Sequence, residues 1–229
     1  MPIPAMTEAA LPLLSAVEAR VLGVLVEKEL STPDYYPLTL NALAAGCNQK
    51  TSRYPVMNIQ DAELQDALDS LKRQTLVIET TGASGRVMRY AHNVPKGLAV
   101  PTAMAALLAG LMLRGPQTAA ELRANCERLY RFADLSSVEA YLADMASRRN
   151  GALVTKLARQ PGSRENRWAH LLCGMPKTDA THETTTSEGG GADIASLQAD
   201  LALLRQEVVE IRQLVERLCV DLNIPRPDH

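Results

Sequence analysis

The sequence predicts an α+β fold that is mainly helical and carries small β wings. Three observations support this. One helix-rich segment occurs twice, each copy ends in two strand-like runs around a turn, and the chain closes on a heptad pattern. The repeat is seen where "TLNALAAGC" (Thr39–Cys47) aligns with "TAAELRANC" (Thr118–Cys126) at an offset of 79. "RYAH" (Arg89–His92) aligns with "RWAH" (Arg167–His170) at 78, and Arg53-Tyr54 aligns with Arg131-Phe132 at the same offset. Distant matches at nearly one offset imply two copies of one unit, at about 15–93 and 100–173.

The arm 1–14, "MPIPAMTEAALPLL", has neither the cationic start nor the apolar core of a secretory leader, so none is expected. Ser15 and Glu18 form a capping box. The helix behind it places Val17, Val21, Leu22, Leu25 and Val26 on one face. A short helix is expected over Leu38–Ala45. A third runs from Gln60 to Gln74, with Leu64, Leu68 and Leu71 at helical spacing. "LVIET" and "RVMRYAH" predict two strands around the turn "TGASG". In the second copy, Pro101 opens a helix that Gly115-Pro116 closes. Thr118–Cys126 is the short helix, and a Ser136/Glu139 capping box precedes Val138, Leu142 and Met145. "ALVTKLA" and "NRWAHLL" are strands around "QPGSRE".

Helix, short helix, helix and hairpin is the order of a winged helix-turn-helix domain. Two are therefore expected in tandem, at 15–93 and 94–174. The segment "VEARVLGVLVEKELSTPDYYPLTLNALAAGCNQKTSRYPVMN", with the later "ELRANCERLYRFADL", resembles the YceH-like family of uncharacterised bacterial proteins. The resemblance covers about residues 12–174. It implies tandem winged-helix domains in a bacterial, cytoplasmic protein. It implies no established activity, so it transfers no catalytic residues.

Residues 175–193 are rich in Thr, Gly and charge and are expected to be a flexible linker. Beyond them lies an expected coiled-coil helix, 194–224. Ile194, Leu201, Val208, Val215 and Leu222 fall at a, and Leu197, Leu204, Ile211 and Leu218 at d. β-Branched residues at a and Leu at d favour a parallel homodimer, and Asp200–Arg205 and Glu207–Arg212 are placed for g–e pairs across it. A single amphipathic helix folded back on its own body is the plainer alternative. The linker has a rough end-to-end distance of ~22–26 Å, so the coil would join two bodies without fixing their spacing.

Composition narrows the function. Of 229 residues 46% are apolar and 22% charged, as in a soluble globular protein, and no apolar run is long enough to span a membrane. The four cysteines (47, 126, 173 and 219) show no zinc-ligand spacing, so reduced thiols, no metal and no cofactor are expected. The net charge of −2 hides a split: residues 47–175 carry 17 cations and 11 anions, and residues 176–229 five and ten. No nucleotide-binding loop, nucleophile elbow, zincin or dinucleotide fingerprint occurs, which argues against an enzyme.

Two binding roles stay open. If the partner is DNA, third helices should approach the major groove and wings the backbone. The third helices carry Asp61, Glu63, Asp66 and Asp69 in one copy and Glu139 and Asp144 in the other, with Arg148 and Arg149 only late in the second. Phosphates would repel those faces, which disfavours base reading. The candidate phosphate contacts are therefore loop, helix-end and wing cations. They are Lys50, Arg53, Lys72, Arg73, Arg86 and Arg89 in the first copy, and Arg128, Arg131, Arg159, Arg164 and Arg167 in the second. The alternative is a protein-interaction scaffold without nucleic acid. Arg89 and Arg167 adjoin Tyr90 and Trp168, so packing of their stems on a ring and pairing with a carboxylate competes with a binding role. Strand-end packing is the expected role of His92 and His170, and burial that of Cys47 and Cys126.

Overall fold

Helix α1 (Ala16–Ser31) starts where the sequence places its cap. The Ser15 hydroxyl accepts from the Glu18 amide at 3.1 Å, and the Glu18 carboxylate accepts from the Ser15 amide. The computed structural model describes residues 13–81, 87–159 and 165–176. The arm before residue 13, Arg86, Arg164, the linker from residue 177 and the whole heptad seam, Ile194 to Leu222, lie outside the described residues.

The architecture is α+β, with helices around small antiparallel sheets. After α1 come β1 (Leu38–Thr39), α2 (Leu40–Cys47), α3 (Asp61–Arg73), β2 (Val77–Thr81) and β3 (Met88–His92). A short α4 (Val94–Gly97), not expected from the sequence, leads to α5 (Thr102–Arg114). Then follow α6 (Ala119–Asn125), α7 (Leu135–Ala146), β4 (Val154–Lys156) and β5 (Trp168–His170). The described residues belong to one compact unit, whose buried cluster runs without a break from Leu14 to Leu172.

α1 and α5 form the centre. α1 is buried from Glu18 to Val26, more than the single face its apolar pattern suggests, because α5 covers one side and α2 and α3 the other. α5, "TAMAALLAGLMLR", is buried from Ala103 to Leu113. Gly23 permits the approach of the two helices: a Cβ there would lie 3.0 Å from Leu113 Cγ. Burial of the Leu, Val and Met side chains on this pair, at roughly 1.5–3 kcal/mol each, is the main source of cohesion between the halves.

The sheets carry the repeat's register. The first has order β1-β3-β2, with Leu38 opposite Tyr90 and Val77 opposite His92. The second pairs β4 with β5, Val154 opposite His170. In place of a third strand it keeps one bridge, Gln117 to Trp168, with N–H···O distances of 3.0 and 2.7 Å. Gln117 and Trp168 align in sequence with Leu38 and Tyr90, so the bridge stands where β1 pairs with β3 in the first sheet.

Two helix starts differ from expectation. α2 begins two residues later than predicted, because Leu38 joins β1 and Thr39 takes the cap, accepting from the Ala42 amide. α7 begins at Leu135, capped by Asp134 and Ser137 rather than Ser136 and Glu139; the Asp134 carboxylate accepts from the Ser137 amide at 2.7 Å. Val138, Leu142 and Met145 are buried as predicted, since the apolar period is unchanged by where the helix is capped.

Candidate nucleic-acid interface

The connection between α2 and α3, Asn48–Gln60, was the most basic loop of the first copy. It is pinned from beneath. Asn48 exchanges hydrogen bonds with the Ile59 backbone at 2.7 and 2.9 Å. The Tyr54 amide donates to Leu113 O at 2.7 Å, and Arg114 Nη2 donates to Ser52 Oγ at 2.8 Å, so the loop is tied to the end of α5.

Arg53 does not offer its charge to a ligand. Its side chain is 0% exposed and pairs with the Glu27 carboxylate through both Nη atoms. Nε donates to Gly46 O at 3.1 Å, and the remaining N–H groups reach Ser52 O and Gln49 Oε1. The expected phosphate contact is thus a buried strut between α1 and the loop. Lys50, three residues earlier, is exposed.

Two further first-copy cations, Lys72 and Arg89, are also engaged. Lys72 lies 2.7 Å from Asp69 and 2.8 Å from Glu79. Hydrogen bonds to Asp69 and Glu79 hold its ammonium above the usual lysine range. Arg89 is half-buried and donates through Nη1 to Pro37 O at 2.8 Å. Its partner is a backbone carbonyl, not the helix carboxylate the packing alternative pictured. Arg73 is exposed at the end of α3. The same helix exposes Asp61, Glu63 and Asp66.

The second copy differs. Arg128, Arg131 and Arg159 are exposed, and among the described residues none of the three makes a side-chain hydrogen bond or ion pair. Arg131 borders a groove of about 600 Å³ between α6 and α7, together with Arg123, Glu127 and Phe132. Arg123 is not among the cations that the sequence singles out. It sits on the exposed face of α6 and donates to Ala133 O at 3.3 Å. Arg167 is half-buried, and the cation that lies over the Trp168 ring is Lys156, at 5.8 Å. α7 exposes Glu139 and Asp144.

His92, Cys47 and Cys126 are buried and His170 is half-buried. His92 Nε2 lies 2.6 Å from Glu29. Burial pulls the His92 pKa down while Glu29 opposes the shift. His170 has no such carboxylate and is lowered to about 4 by burial alone. Cys47 and Cys126 are buried, and desolvation pushes both thiols up to about 12, far from reactive thiolates. Among the described residues no cluster of three potential metal ligands occurs, and no helix is long and apolar enough to cross a membrane.

Fold and surface together define a helical α+β protein with a buried charge network in one half and exposed arginines in the other. Residues 14–163 match the family model described as a protein of unknown function, DUF480, and the chain belongs to this family. A UPF0502 protein of Dechloromonas aromatica (strain RCB) is 55% identical over 204 residues, 89% of this chain and 95% of the relative. Others are from Acidovorax sp. (strain JS42), 52% over 219 residues (92% and 95%), and Burkholderia orbicola (strain MC0-3), 50% over 224 residues (95% and 93%). The resemblance to an uncharacterised bacterial family is therefore borne out. The family model stops at residue 163, but a match over 95% of the chain takes in most of the tail as well.

Proposed function

We propose that this chain is a non-enzymatic, DNA-binding protein of two tandem winged-helix halves, which grips the phosphate backbone mainly through its second half. The exposed arginines around the turn from α6 to α7, Arg128 and Arg131, carry the reading, with Arg123 beside them and Arg159 next to β4. They are charged, solvent-facing and not neutralised by described neighbours. The acidic faces of α3 and α7 argue against base reading, so binding would be weakly specific and salt-sensitive. The heptad seam from Ile194 to Leu222 supports pairing of two chains, which would raise avidity without setting a half-site spacing.

Fluorescence anisotropy of a labelled duplex tests this. Affinity should fall steeply between about 50 and about 200 mM salt, and the R128A/R131A double variant should reduce the log–log salt slope by about 2. A chain that binds no duplex even at low salt would remove the proposal.

A specific observation favours the second reading, a protein-interaction scaffold. The first half exposes Ile78, Val87 and Met88 on its hairpin and Asp61, Glu63 and Asp66 on α3. Exposed apolar side chains together with an acidic helix suit a basic, partly apolar protein surface better than a polyanion. Failure of the duplex titration at low salt would favour this reading.

A further inference from the structure

A cleft of about 250 Å³ opens where the end of α5, the start of α1, the α2–α3 loop and the segment after β5 converge. Its walls are mainly apolar, with Met57, Leu111, Met112 and Pro116 prominent. Two of its residues are polar and incompletely partnered. Arg20 is 1% exposed; Nη1 donates to Cys47 O at 3.0 Å and Nη2 to Pro55 O, but Nε has no partner. Nδ1 of His170 is likewise buried without one. Among the described residues no carboxylate forms an ion pair with Arg20, and the positive charge of Arg53 further disfavours its charged form. A buried cation held only by carbonyls is costly, and that cost falls when an anion arrives.

We propose that this cleft binds a small monocarboxylic acid with an apolar body, its carboxylate taken by Arg20 with His170 alongside and its body lying against Met57 and Met112. The size is set by the volume, which holds about eight water-sized groups at about 30 Å³ each. The charge is set by Arg20, the one cation among the residues lining the cleft. A phosphate ester would bring a second negative charge and further acceptors into walls that answer neither. Because the cleft joins both halves, the ligand would tighten their junction.

The test uses the full chain labelled with ¹³C at its methionine methyls, assigned through Met57→Leu and Met112→Leu. Acetate, hexanoate and benzoate are titrated beside hexanamide and benzamide. Hexanoate or benzoate should shift the Met57 and Met112 signals saturably and raise the thermal midpoint, acting at least about tenfold more tightly than the matched amide. Ala16→Phe, at the exposed rim of the cleft, should keep the fold and abolish the response. Equal action of acid and amide, a response that survives Ala16→Phe, or no saturable response to any acid would overturn the proposal. None of these outcomes bears on duplex binding.

Discussion

Arg53-Tyr54 and Arg131-Phe132 hold the same place in the repeat and face opposite ways. In the first half the arginine is buried and Tyr54 is 68% exposed. In the second Arg131 is exposed, and Phe132 is buried against Tyr130 and Tyr141 at ring-centroid distances of 4.9 and 6.1 Å. The neighbouring helix decides. α1 supplies Glu27, so a cation can go inside. α5 contains no acidic residue, so the second arginine would be buried without a counter-charge, and the aromatic goes in instead. His92 and His170 repeat the lesson, one beside Glu29 and the other beside no carboxylate. A recurring residue type does not imply a recurring role when its partner lies on another element.

The largest test of this contrast is paired. Arg53→Met leaves Glu27 without its partner and should cost about 3 kcal/mol, whereas Arg131→Met should stay within about 0.5 kcal/mol. Urea unfolding of both variants reads the difference, and equal costs would break the comparison.

The histidines come next. His170 has a folded-state pKa of about 4, below its ordinary value of 6.5, so the unfolded chain takes up the proton first. The stability it contributes is complete above pH 6.5 and is lost as pH falls toward 4; between pH 7 and pH 5 the loss is about 2 kcal/mol. His170→Gln should flatten the stability profile in that window. His92→Gln should flatten it less, since Glu29 offsets part of the burial effect.

A smaller effect tests the packing of each first helix on its short helix. In the first half the glycine is on α2: a Cβ at Gly46 would lie 2.7 Å from Val24 Cγ1. In the second the glycine is on the long helix: a Cβ at Gly110 would lie 2.7 Å from Cys126 Sγ. Gly46→Ala and Gly110→Ala should each lose a net ~1–2 kcal/mol, overpacking outweighing the gain in helix propensity. Val24→Ala should recover part of the first loss and Cys126→Ala part of the second, in thermal melts of the double variants. The smallest effect should be shared. Thr39 and Thr118 each accept a hydrogen bond from the amide three residues on, with Glu121 closing a reciprocal box at Thr118, so Thr39→Ala and Thr118→Ala should each cost about 1 kcal/mol.

Much of the fold was legible. The Ser15–Glu18 box, the α3 span, the Gly115 stop and the apolar sets of α3 and α7 all follow from contacts within one or two helical turns. The pairings Leu38–Tyr90 and Gln117–Trp168 fall at equivalent places in the repeat, but no local pattern announces them. The site was less legible. Lys50, Arg73, Arg128, Arg131 and Arg159 are exposed as a phosphate contact requires, but Arg53 is buried, and Lys72 and Arg89 are bound to their own chain.

The sequence by itself determined where the longer helices and both hairpins lie, because caps, turns and apolar period are settled by near neighbours through hydrogen bonds and side-chain spacing. Only the tertiary structure decided which cations remain available. Glu27 stands 26 residues before Arg53, and Pro37 stands 52 before Arg89. Such partners meet only after α1 and the loops have packed, and no local pattern in the chain announces them.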